Sequence, residues 1–213
     1  QLTLMGFQFK LSLFSVWRAF YYPIVTVKNV KNGKLRIMEK QDWKLLFEEQ
    51  GIESLWSKIE PHMLPAIAIN VRSASESDFS RGESKMGGLP HLPSEIPLDS
   101  IHWKETPLTF LAQFNLQELK PFDESHLFPE TGILYFFIAL NKEIEQKQLG
   151  IDNIRLIYSE TGVDNLTRPK KPKQPDYPIL PVLKINYQSF LSFPRFDDIY
   201  TLPNLTQDER ENY

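Results

Sequence analysis

The chain has 213 residues, 41% of them hydrophobic and 13% aromatic, enough to close a core over one large domain or two small ones. Charged residues make up 24% and the formal net charge is −3, so nucleic acid is not an expected partner, because phosphate binding calls for a clustered basic excess. Cysteine is absent, which removes disulfides, thiolate metal sites and a cysteine nucleophile together and fits a reducing, cytoplasmic setting.

Residues 7–13 alternate apolar (Phe7, Phe9, Leu11, Leu13) and polar (Gln8, Lys10, Ser12) side chains, the period of a half-buried strand. Asn32-Gly33, a pair that tolerates positive φ, lies between PIVTVKN and KLRIME and predicts a tight hairpin. Beyond Lys40 the period lengthens. Trp43, Leu46 and Phe47, then Ile52, Leu55, Trp56 and Ile59 after Gly51, predict two short helices closed by Pro61 and Pro65.

PAIAINVR (65–72) returns to strand spacing, and SASESDFSRGES (73–84) is small and polar, a surface loop. PLTFLAQFNL (107–116) predicts a strand with Leu108, Phe110, Ala112 and Phe114 on one face. Leu111, Gln113 and Asn115 fall on the other, and residues 117–119 start a helical turn. GILYFFIAL (132–140) is apolar on both faces, as a central strand is. It is also the longest apolar run, far short of the roughly 18 residues a membrane helix needs, so no membrane partner is expected.

IRLIYS (154–159) and VLKINYQSFLSF (182–193) read as further strands, and TQDEREN (206–212) starts a helix. Between them Pro169, Pro172, Pro175, Pro178 and Pro181 recur at every third residue, the period of polyproline II. An extended connector is preferred here to an SH3-type ligand, because the order of Lys170, Lys171, Lys173 and the prolines fits neither ligand orientation. Together the elements predict an α+β fold, a mainly antiparallel twisted β-sheet with short flanking helices. Residues 1–64, a strand, hairpin and helical region, are set apart from a domain over residues 65–213.

Catalytic signatures are missing: there is no Gly-x-Ser-x-Gly elbow, Ser-x-x-Lys, P-loop or Gly-x-Gly-x-x-Gly. His62, His91, His102 and His126 lack ligand-like spacing, and Glu48-Glu49 and Asp197-Asp198 read as solvated charge. No metal and no cofactor is expected. Two stretches stand above this background. In GESKMGGLPHLP (82–93), Gly87 and Gly88 allow positive φ or close backbone approach, while Pro90 and Pro93 stiffen the path. The stretch is either a tight turn that buries Leu89 and Leu92 or a loop offering N–H groups to an anion, with Lys85 at its entrance. The turn is preferred.

The second stretch holds Gln113 and Asn115, whose amides need partners if both faces of the strand are covered. Backbone bracing is preferred to a ligand, and Trp103 belongs to the core or to a cleft wall. The candidate ligand-binding set is therefore Lys85, Gly87, Gly88, His91, Gln113 and Asn115.

These stretches also carry a resemblance. SKMGGLPHLP (84–93), Trp103, PLTFLAQFNLQEL (107–119) and LFPETGILYFF (127–137) follow one another in order at short spacing. Together they resemble the YwqG-like family of bacterial proteins, a domain of unknown function. Phe128-Pro129 stands where Leu-Pro is common, and no second-half motif of the family follows Asn186, so that half is expected to be lacking. The resemblance implies a cytoplasmic α+β protein dominated by antiparallel sheet, without demonstrated enzymatic activity. Genes of this family beside bacterial toxin systems suggest an immunity or antitoxin role. The leading expectation is thus a non-enzymatic interaction module holding a protein partner such as a toxin. The alternative is a small-ligand-binding domain or cryptic enzyme built on the Gly-Gly-Leu-Pro loop and Gln113.

Overall fold

The computed structural model describes residues 39–140, 154–171, 177–193 and 205–208, together with two-residue strands at 3–4, 7–8, 30–31 and 34–35. Residues 9–13, the middle of the proline repeat, Asp197-Asp198 and most of 206–212 lie outside this set. Val30–Lys31 pairs antiparallel with Lys34–Leu35, the register that a two-residue hairpin connection imposes.

Helix α1 (Lys40–Glu49) opens where the Glu39 N–H donates to the Asp42 carboxylate at 2.9 Å. It ends at Gly51, whose φ of +71° breaks the helical path. Helix α2 (Glu53–Ile59) runs into a short 3-10 turn containing Pro61. Phe47, Leu55, Trp56, Ile59, Met63 and Leu205 close one core under these helices. Phe193, just past the last sheet strand, stacks on Phe47 at 5.9 Å and meets Trp43 edge-on at 4.6 Å, fastening the helices to the sheet.

The sheet holds six strands: β1 (Leu64–Ser73), β2 (Lys85–Met86), β3 (Thr109–Asn115), β4 (Ile133–Ile138), β5 (Ile154–Ser159) and β6 (Leu183–Ser192). Their spatial order is β5-β4-β3-β2-β6-β1, and every neighbouring pair is antiparallel. Strands β1 and β6 pair along their whole length, from Leu64↔Ser192 to Ser73↔Leu183. Among the described residues only β2 connects this pair to the other three strands. Lys85 lies between Gln113 and Lys184, and Met86 between Ala112 and Leu183.

Both sheet faces are covered. One core gathers Phe110, Tyr135 and Phe137 with Leu92, Leu98, Ile101 and Leu166; the other gathers Phe114, Phe136 and Ile138 with Ile67, Ile69 and Ile185. The expected alternation along β3 is broken. Phe110 opposes Phe137, but Ala112 opposes Phe136, so Leu111 is an extra, bulged residue. Leu108 and Phe110 therefore enter the first core, while Leu111, Ala112 and Phe114 enter the second. Gln113, which opposes Tyr135, shares the face of Phe110 rather than standing opposite it.

Loop 73–84 is more organised than its small polar composition predicted. The Ser75 N–H binds the Asp78 carboxylate at 2.8 Å, residues Glu76–Asp78 form a 3-10 turn, and Phe79 and Ser84 are buried. Trp103 lies in a small hairpin, His102–Trp103 against Thr106–Pro107, and packs on the first core. Helix α3 (Leu116–Leu119) begins where the Asn115 side-chain oxygen accepts the Gln117 N–H at 3.0 Å. No helix among the described residues is long and apolar enough to cross a membrane.

Gly87 lets β2 sit between its neighbours. Its φ is +69°, its N–H donates to the Leu111 carbonyl at 2.8 Å, and a Cβ would lie 1.9 Å from the Pro181 carbonyl oxygen. Gly87→Ala is expected to lower stability by more than about 2 kcal/mol in urea unfolding. Gly51→Ala, at φ +71° but facing open space, should cost only about 1 kcal/mol, the conformational strain alone.

Candidate functional site

The bulge at Leu111 aims Gln113 at the loop of residues 82–93, and there the amide acts as a clasp. Its Oε1 accepts the His91 N–H at 2.8 Å and its Nε2 donates to the Glu83 carbonyl at 2.7 Å. One fully buried side chain thus holds both arms of the loop. Asn115 repeats the device two residues on: its Nδ2 donates to the Gly82 carbonyl at 3.1 Å and its N–H to Ser84 Oγ at 2.8 Å. The Tyr135 hydroxyl, raised well above its usual pKa by burial and then by the Glu95 charge, donates to the His91 carbonyl at 2.7 Å.

Of the groups around the Gly-Gly loop, only the Leu89 N–H and Lys85 meet an anion, and that anion is the protein's own Glu76. The Gly87 and Gly88 N–H groups donate to the carbonyls of Leu111 and Leu180, both at 2.8 Å. The next N–H, that of Leu89, binds Glu76 Oε1 at 2.9 Å, and Lys85 Nζ binds Oε2 at 2.7 Å. A Cβ on Gly88 would lie 1.9 Å from Glu76 Oε1, so the glycine is what admits the carboxylate.

Lys85 is completely buried, with its ammonium 5.5 Å from the Phe79 ring centre. Burial pushes its pKa down; the hydrogen bond and charge of Glu76 only partly oppose this, and Arg168 adds to it. Burial alone would raise the Glu76 carboxyl, but Lys85, the Leu89 N–H and Arg168 outweigh it and hold the group below its usual range.

His91 is buried, 3% exposed. The Gly82 N–H points at Nδ1 from 3.0 Å, and Arg168 brings Nε and Nη2 to 3.2 and 3.0 Å of Nε2. Burial first, then the charges of Lys85 and Arg168, push the ring's pKa down to about 4. Arg168 also donates to the Glu76 carbonyl at 3.2 Å and lies 3.5 Å from its carboxylate, while 40% of its side chain stays exposed.

Arg168 forms part of the wall of an open polar cleft of about 680 Å³, with Arg81, Ser94, Glu95, Thr161 and Asp164 among its other lining residues. Arg81 donates to the Asp164 carbonyl at 3.0 Å, and Glu95 accepts from Ser94 and Thr161 at 3.3 Å. The six residues singled out from sequence therefore converge, but with their polar atoms turned on the fold itself. Glu76, Arg168, Tyr135 and Ser84 were missed. For Glu76 a signal existed: a lysine inside apolar strand chemistry needs a carboxylate, and the preceding polar loop supplies several. Arg168, 77 residues from His91, leaves no local trace. Among the described residues no group of three or more His, Asp or Glu is placed to hold a metal ion.

Two outcomes follow from this geometry. Lys85→Met strands Glu76 and should cost about 2–3 kcal/mol in urea unfolding, below a fully buried pair because Glu76 is partly solvated. Adding Glu76→Gln should recover about 1 kcal/mol, a positive coupling in a double-mutant cycle. For His91 the folded pKa of about 4 lies below the unfolded value near 6.5. The unfolded chain then binds the proton first, so stability is whole above pH 6.5 and falls between 6.5 and 4, by up to about 3 kcal/mol. Urea midpoints across that range should show the slope, and His91→Gln should flatten it.

No curated protein matches the chain in sequence. A family model described as Domain of unknown function (DUF1963) matches residues 84–212, from Ser84 at the head of β2 to a point beyond β6. That span contains the loop from Ser84 onward, the Gln113 and Asn115 side chains and Arg168 of the cleft wall. The chain belongs to this family of domains of unknown function.

Proposed function

We propose that the protein is a non-enzymatic binding module that recognises a protein partner through the cleft edged by Arg81, Glu95, Asp164 and Arg168. One observation carries this reading. Gln113, Asn115, Tyr135, Lys85 and Glu76 are engaged with the protein's own groups, whereas Arg81, Ser94, Glu95, Asp164 and Arg168 are exposed on the wall of an open cleft. A frame of internal hydrogen bonds behind a solvated, mixed-charge rim is the make-up of a recognition surface, rigid beneath and polar at its edge.

The alternative is a small-molecule site walled by Lys85, Gly87, Gly88, His91, Gln113 and Asn115. The approach of His91 and Gln113 favours it, and the engagement of the Gln113 amide by two backbone groups weighs against it. The three ordered sequence motifs support a place in the YwqG-like branch, with bacterial, cytoplasmic, immunity-like work on a toxin as its most specific form. On the same grounds we keep a boundary near residue 64 between an N-terminal region and the domain.

Affinity capture from the native host tests the proposal. The wild-type chain should retain a defined partner, and Arg81→Gln with Arg168→Gln should release it while the far-ultraviolet spectrum holds. A wild-type chain that remains monomeric and partner-free under gentle conditions overturns the reading. A thermal shift with a metabolite, abolished in Gln113→Leu, would replace it with the small-molecule site.

A further inference from the structure

We propose that the junction of His91 and Arg168 is a carboxylate-binding subsite, in which a carboxylate oxygen of the bound molecule sits between the imidazole Nε2–H and the Nε–Nη2 edge of Arg168. The proposal rests on the preceding reading of the cleft as the recognition face, and it names the chemistry that face selects.

A neutral imidazole has one N–H and one lone pair in the ring plane. At Nδ1 stands the Gly82 N–H, which can only donate, at 3.0 Å; the Gln113 amide nitrogen lies beyond it at 3.5 Å. Nδ1 is therefore the acceptor, and the proton is on Nε2. At Nε2 stand two guanidinium nitrogens, at 3.2 and 3.0 Å, and these too can only donate. Moving the proton to Nδ1 merely transfers the mismatch to Gly82. Among the described residues every group at hydrogen-bond distance of the ring is a donor, so the buried ring lacks an acceptor on one side.

The missing acceptor has to come from the cleft. Residue 82 is fixed by its own loop, where a Cβ on Gly82 would meet Val163 Cγ1 at 2.8 Å, so the Nδ1 side is closed. Arg168 is 40% exposed on the cleft wall and belongs to no helix or strand, so it is the member that can draw back by the width of one oxygen atom. An oxygen entering there accepts from Nε2–H and from the guanidinium together.

The guanidinium specifies the ligand class. Its Nε and Nη2 present parallel N–H groups along one edge, the geometry that a carboxylate matches with two oxygens. The surrounding charge argues for a single negative charge. Arg81 and Arg168 line the cleft with Glu95 and Asp164, and Glu76 Oε2 lies 3.5 Å from Arg168 Nη2, so a dianionic phosphate would meet carboxylates with no net cationic excess. Such a carboxylate belongs either to a polypeptide, as an acidic side chain or chain terminus, or to a small free acid.

Histidine-detected nitrogen NMR on the full chain at pH 7 tests this, with sodium acetate, a short peptide ending in a free carboxylate, its amidated form and inorganic phosphate as probes. Before any addition the spectrum should show His91 protonated at Nε2. Acetate should then shift Nε2 saturably, and Arg168→Gln should weaken that response at least tenfold while Arg168→Lys keeps part of it. Tighter binding of the peptide than of acetate, lost on amidation, identifies a polypeptide source; equal binding identifies a free acid.

A ring protonated at Nδ1, an Nε2 signal that no probe moves, equal acetate binding by Arg168→Gln, or phosphate binding tighter than acetate overturns the subsite. Should acetate bind as stated while partner capture ignores Arg168, the cleft reading fails and the subsite stands. Should capture depend on Arg168 while acetate leaves the ring untouched, the reverse holds.

Discussion

Two residues hold the sheet of this protein together. Lys85 and Met86 are the whole of β2, and through them the β1–β6 pair joins β3, β4 and β5. So short a strand cannot be held by ladder hydrogen bonds alone; three or more residues a strand is the common minimum. It is held instead by what surrounds it. Gln113 and Asn115 on β3 grip the chain on both sides of Lys85, the Gly87 N–H reaches the Leu111 carbonyl, and Lys85 anchors its ammonium on Glu76.

This explains why so much polar chemistry is buried at one place. A buried lysine is costly without a partner, and a buried amide is costly with free donors. Each is satisfied here by a neighbour whose own position depends on it. Glu76 orders the loop that carries it because Lys85 and the Leu89 N–H hold its carboxylate. Gln113 reaches Glu83 and His91 because the Leu111 bulge turns it to the Tyr135 face. The network holds the loop, and the loop sets the buried His91 ring against Arg168.

Rigidity beneath and charge above divide the site into two layers. The inner layer turns its polar groups on one another and on the backbone. The outer layer, with Arg81, Glu95, Asp164 and Arg168, lines the open cleft and makes solvent-exposed contacts. His91 belongs to both: its backbone is held by Gln113 and Tyr135, and its ring faces Arg168. A change on the rim therefore meets a fixed point and not a yielding one.

Residue order by itself determined the strands and helices with strong periodicity: the helices broken at Gly51, the apolar β4, the long β1 and β6, and a helical turn at residues 117–119. Side-chain spacing, glycine and proline are local signals, and these elements obey them. The importance of the Gly-Gly-Leu-Pro stretch and of Gln113 was also visible, because glycines and a strand amide are unusual wherever they occur. Three matters were decided by tertiary structure alone. The bulge at Leu111 reversed the face of Gln113, since register against β4 is a property of two strands and not of one. Glu76 became the anion of its own loop, since a carboxylate in a polar stretch looks solvated until a buried ammonium is placed beside it. Arg168 met His91 across 77 residues of chain, a contact that no spacing rule contains because only the folded path brings the two together.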